Sequence, residues 1–144
     1  MNVGRYFGAV VAVWIVRVVF NWLFYGIALR ARFEELAAEF PNVFREVVPG
    51  FIATDLLFAL VLVYLWAKTG PCFGGGIKGG VVGGAWIGVL FGVVGNLYYF
   101  FGFTYPTATD IAIDAVYQIV SVAIQGAVAA AVYKIPAVTP VRTG

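Results

Sequence analysis

Five polar side chains, Asp110, Asp114, Gln118, Ser121 and Gln125, recur at steps of four, four, three and four. At about 100° per residue they share a wedge roughly 80° wide on an α-helix. Carboxyl, amide and hydroxyl groups in one such row can bind a proton or a small solute, or pass it along. The opposite side of the same stretch carries Ile113, Val116, Ile119, Val120, Ala123 and Ala127. A helix built in this way cannot show its polar wedge to lipid, where ionisable groups are costly. The wedge must face other helices, a partner or water.

A second set of polar residues is scattered through apolar runs. Arg17 sits in the middle of the first run, with Asn21 one turn later and Tyr25 continuing the stripe. Asp55 lies near the start of the second run, and Asn96 near the end of the third. At about 1.5 Å per residue, Asp55, Asn96, Asp114 and Asn21 all lie roughly 8–12 Å inside the same side of a membrane. Arg17 is deeper, near the level of Gln118, but a long side chain can reach back toward that layer. These depths predict a buried polar cluster of Arg17, Asn21, Asp55, Asn96, Asp114 and Gln118. Arg17 is expected to pair with Asp55, Asp114 or both, bridged by the amides. The cluster can serve as structural glue or as a ligand, proton or ion site, with Asp114 the proton carrier if Arg17 neutralises Asp55.

The elements that must hold these residues follow from composition. Of 144 residues, 62% are hydrophobic and 11% charged, against about 25% charged in an average soluble domain. At about 20 residues per crossing, the pattern predicts an all-α, four-helix transmembrane bundle forming a single domain over 1–144. The helices are expected at about 6–29, 50–68, 81–103 and 108–133. The first could be taken for a signal peptide, but no small-residue cleavage site follows, so it reads as a transmembrane helix. Between helices one and two, residues 31–47 form the charged, amphipathic segment, expected to lie at the membrane surface as a short helix broken near Pro41. The tail from Ile135 has little to fold it.

Gly80, Gly84, Gly88 and Gly92 are spaced by four in the third helix. Rows of small residues let membrane helices approach closely. Because the row advances about 40° per step, one part is expected to pack inside the bundle and another against a second subunit. Gly74, Gly76 and Gly79 fit the spacing of a nucleotide-binding loop, but no strand precedes them and a membrane helix follows, so Thr69 to Gly80 reads as a flexible turn. With no histidine, imidazole ligation and His-based triads are excluded for this chain alone. No metal site, cofactor or catalytic residue is expected. Cys72 is the only cysteine, and the net charge of +2 does not suggest nucleic acid.

Arg5, Lys68, Lys78, Lys134 and Arg142 fall on one side of the membrane with no acid. By the positive-inside rule both termini are cytoplasmic. Tyr98, Tyr99 and Tyr105 mark an aromatic belt on the other side.

The layout resembles a loose group of small bacterial proteins with four membrane helices, of the domain-of-unknown-function kind. The matching features are Arg5-Tyr6, the patch of Asn21, Tyr25 and Gly26, Lys78-Gly79 with Gly83, and Gly126 with Tyr133-Lys134. Some members of that group place His-Gly where this chain has Tyr25-Gly26, so a role depending on that histidine is lost here. The resemblance implies the fold and the bacterial inner membrane, and it supplies no activity.

Three functions are carried forward. The first is an interaction or structural subunit that packs against itself or a larger membrane complex. The second is an oligomeric proton or small-solute transporter or channel using the polar face of helix four. The third is a membrane enzyme or a protein that binds lipid, quinone or pigment in an aromatic-lined pocket.

Overall fold

A computed structural model describes residues 2–40, 48–103 and 106–135. Among these residues every regular element is helical. Four helical stretches, Val3–Ala28, Val48–Phe73, Gly76–Gly102 and Ala108–Tyr133, are each long and apolar enough to cross a bilayer. The chain is thus an all-α four-helix bundle with the spans of a multi-pass membrane protein. A shorter helix, Arg30–Glu39, lies between the first and second spans. The second half of the expected surface segment, the Pro41 break, Tyr105, Arg142 and the tail beyond Ile135 lie outside the described residues.

Local chemistry sets the helix ends. Asn2 caps the first span by accepting from the Arg5 N–H at 3.1 Å. The fourth span starts with a capping box. Thr107 Oγ accepts from the Asp110 N–H at 3.2 Å, and Asp110 Oδ2 accepts from the Thr107 N–H at 2.9 Å. This satisfies N–H groups that have no partner inside the helix. The third span begins at Gly76 rather than near Val81. The expected flexible turn is a compact connection: a 3₁₀ turn over Gly70–Phe73, then Gly74, Gly75 and Gly76 with φ of 85°, 66° and 60°. Side chains rarely adopt those angles. The N–H groups of Gly74, Gly75 and Gly76 donate to Pro71, Gly70 and Ile135 carbonyls, so none is left to cradle a phosphate.

Two spans are not α-helical throughout. The first widens over Trp22–Ala28, where Leu29 N–H bonds the Phe24 carbonyl five residues back, at 2.9 Å. The third widens over Leu90–Gly95. Neither widening was expected.

The third and fourth spans pack closest, antiparallel. A Cβ on Gly88 would lie 2.6 Å from Ile119 Cα, and one on Gly92 would lie 2.8 Å from the Ala115 carbonyl. Cβ atoms on Gly80 and Gly84 would run into the Gly126 and Val122 carbonyls. All four row glycines therefore face the fourth span. Within the chain these four glycines serve one helix–helix interface, between the third and fourth spans. Gly80, Gly84 and Gly88 lie in plain α-helix, and the widened turn that begins at Leu90 bears only on the last of the four, Gly92, which lies inside it. The apolar core joins Val10 and Val13 of the first span, Leu62, Val63 and Trp66 of the second, and Val122, Ala129 and Ala130 of the fourth.

Candidate functional site

The polar layer forms where the spans meet on the side of the Arg30–Glu39 helix. It has two halves. In the first, Arg17 Nε donates to Asp55 Oδ1 at 2.8 Å. Asn21 Nδ2 donates to both oxygens of Asp55, at 2.9 and 3.1 Å. Tyr117 donates its hydroxyl to Asn21 Oδ1 at 2.7 Å. The Arg17 and Asp55 side chains are only 13% and 10% exposed, and the guanidinium lies 3.8 Å over the Phe58 ring. A charge so placed is matched by an opposite charge, hydrogen bonds and an aromatic face.

The second half centres on Asp114. Tyr25 donates its hydroxyl to Asp114 Oδ1, and Asn96 Nδ2 donates to Asp114 Oδ2. The same Asn96 amide donates to the Gly92 carbonyl at 2.7 Å. Gln118 Nε2 donates to the Tyr25 oxygen at 3.0 Å. Among the described residues no salt bridge reaches Asp114. Its donors are a phenol and an amide, both neutral. The halves touch through the Tyr25 and Tyr117 rings, edge to face with centroids 5.4 Å apart. Tyr117 also stacks on Phe24 at 3.8 Å.

The expected choice of partners for Arg17 resolves to Asp55 alone. Asn21 bridges to that pair, while Asn96 and Gln118 belong to Asp114 and Tyr25. This corrects the expected single bridged cluster. Geometry explains the split: Asn96 sits on the third span, across from Asp114, and its amide is held there by Gly92. Two members of the layer, Tyr25 and Tyr117, lie outside the six-residue set expected from depth. Tyr25 was visible as the end of the Arg17–Asn21 stripe. Tyr117 stands three residues after Asp114 and four before Ser121, so it flanks the polar wedge at helical spacing.

The rest of the helix-four wedge divides into two stations. Toward the surface, Asp110 accepts from Arg32 twice, Nε to Oδ1 at 3.2 Å and Nη2 to Oδ2 at 3.0 Å. Arg32 also pairs with Glu35 at 2.8 Å. The hydrogen bonds from Arg32 to Asp110 and then to Glu35 raise the guanidinium above its ordinary value. Toward the middle, Gln125 Nε2 donates to Ser121 Oγ at 2.9 Å. Gln125 is 0% exposed, and its carbonyl has no hydrogen-bond partner among the described residues. The wedge is a row of packed side chains turned inward. Among the described residues no group of three or more His, Cys, Asp or Glu could hold a metal ion.

Comparison with protein-family models, with curated proteins and with solved structures gives no match.

Proposed function

We propose that this chain is a small polytopic membrane protein that takes up and releases a proton at Asp114. One observation carries the reading. Arg17 is committed to Asp55, while among the described residues Asp114 is held by neutral donors alone. A carboxylate between membrane helices without a countercharge is costly. A proton removes that charge without needing a cavity. The Tyr25 hydroxyl that donates to Asp114 in turn accepts from the Gln118 amide, so the carboxyl meets a hydroxyl oxygen that can both accept and donate. Its setting would be the bacterial inner membrane with both termini cytoplasmic. The exposed Arg5, Lys68, Lys78 and Lys134 support that orientation, which puts Asp114 nearer the outer face.

The test is proton flux in liposomes driven by a pH gradient. Wild type should carry flux that Asp114→Asn abolishes, while Asp110→Asn retains most of it. Flux unchanged by Asp114→Asn, or none in the wild type, would remove the reading.

A second reading, the interaction subunit, draws on a groove along the outside of the third and fourth spans. It is lined by Ile77, Val81, Ala123, Ala127 and others. Small residues four apart suit the approach of another helix. Native mass spectrometry of gently solubilised protein separates the two: a stable oligomer or a bound partner favours this reading, and a monomer opposes it.

A further inference from the structure

Among the described residues Asp114 takes its two donors from two different helices, one inside a widened turn and the other directly after one. Tyr25 lies inside Trp22–Ala28, and Asn96 follows Leu90–Gly95 directly. Such turns hold well under 1% of residues in folded proteins, and they gather at functional sites. Two of them ending on one carboxylate call for a physical reason. Side-chain packing supplies none at Gly95, where a Cβ would meet nothing within 4 Å. At Gly26 the nearest atoms to a Cβ all belong to Trp22 of the same turn.

A widened turn holds one residue more than an α-turn. It can pass along a helix by exchanging bonds to the fifth residue back for bonds to the fourth, one at a time. The residue it passes swings by about 100° around the axis, while the helix on either side keeps its facing. Resting on the reading of Asp114 as the proton site, we propose that the two widened turns are the moving parts of that site. Their passage withdraws the Tyr25 hydroxyl and the Asn96 amide and opens the carboxyl to exchange. Arg17 and Asn21 precede the first widened turn, so their bonds to Asp55 stay in place as the fixed anchor. Asn96 also holds the Gly92 carbonyl inside the second turn. Moving that turn and releasing the donor are therefore one event.

Deleting Val94 removes the extra residue, closing the turn to α geometry while both flanks keep their faces. Gly95→Ala is the milder variant, because its methyl has open space. Both variants and wild type are studied in nanodiscs by two measurements. The first is backbone hydrogen–deuterium exchange. The second is modification of Asp114 by dicyclohexylcarbodiimide. In that reaction the carboxylic proton goes to one carbodiimide nitrogen and the carboxyl oxygen to its carbon. The acyl group then shifts to the other nitrogen, and nothing is released. In wild type, amides of Leu90–Gly95 should exchange roughly tenfold faster than those of the adjoining turns. The Val94 deletion should erase that difference and slow Asp114 modification by a similar factor, with Gly95→Ala between. If the deletion does not fold, Gly95→Ala decides on the same two readings. Equal protection of the widened turn and its neighbours in wild type overturns the proposal. So does Asp114 modification that stays as fast in the variants. Fast exchange with no modification of wild-type Asp114 leaves the motion standing and removes the proton site.

Discussion

Removing the Arg17 guanidinium leaves the nearly buried Asp55 with Asn21, a neutral donor, as its remaining partner among the described residues. Breaking a buried pair on one side costs about 3–5 kcal/mol. Arg17→Leu should therefore lower the melting temperature of the detergent-solubilised protein sharply. The double variant with Asp55→Leu should recover most of the loss, because it leaves no orphaned charge. Equal melting of Arg17→Leu and wild type would refute the pair's role. Tyr117→Phe keeps the stack on Phe24 and loses the bond to Asn21, a cost of about 1 kcal/mol by the same assay. At this scale the sequence was a good guide to which residues meet and a poor guide to which bond. Depth along four helices brought Arg17, Asn21, Asp55, Asn96 and Asp114 to one layer. It could not choose between Asp55 and Asp114 for Arg17, because that depends on rotation of each helix about its axis.

Elements decide whether the layer can form, and the third and fourth spans are the closest pair. Gly88→Ala puts a methyl 2.6 Å from the Ile119 backbone, which cannot yield as a side chain would. The helices must part, at a cost of about 1–3 kcal/mol. Gly95→Ala meets open space and should leave melting near wild type. Similar losses for both would contradict this packing. Gln125→Leu replaces a fully buried amide whose carbonyl has no partner among the described residues, and it should raise stability by about 1–3 kcal/mol. Ser121 can then turn to its own helix backbone. A fall in melting temperature would show the amide to be better satisfied than this geometry has it. The bounds of the fourth span were legible because Pro106 ends the connection before it and Tyr133-Lys134 closes the apolar run. The widened turns were not, because Trp22–Ala28 and Leu90–Gly95 lie in nearly unbroken apolar sequence. With no polar punctuation, one extra residue per turn leaves no mark on the pattern.

The whole molecule is four apolar spans wrapped around a layer that no single span could hold in lipid. On the side of the Asp114 layer, the Arg30–Glu39 helix is tied down by Arg32 on Asp110. Hydrogen bonds from Arg32 to Asp110 and Glu35 hold the guanidinium above its ordinary value, so this tie is fully present below ordinary arginine titration. Its Arg32 contribution is lost only as pH rises through the raised value. Arg32→Gln should loosen the helix without unfolding the spans, read as faster amide exchange over Arg30–Glu39. Unchanged exchange would mean that the tie carries no weight. At this scale the membrane class and the four spans followed from composition and hydropathy alone. The allocation of the glycine row did not, because a row can serve either the chain itself or a neighbour until a partner face is seen.

The proposed proton site rests on a difference between two carboxyls: Asp55 pairs with Arg17, and among the described residues Asp114 has only neutral donors. Dicyclohexylcarbodiimide, which reacts with protonated carboxyl groups in apolar surroundings, reports on both at once. Treating wild-type protein in lipid and mapping the adduct by peptide mass spectrometry should place it on Asp114 and leave Asp55 unmodified. Modification of Asp55 as fast as Asp114, or an Asp114 that stays untouched while the reagent reaches the membrane interior, would contradict the account.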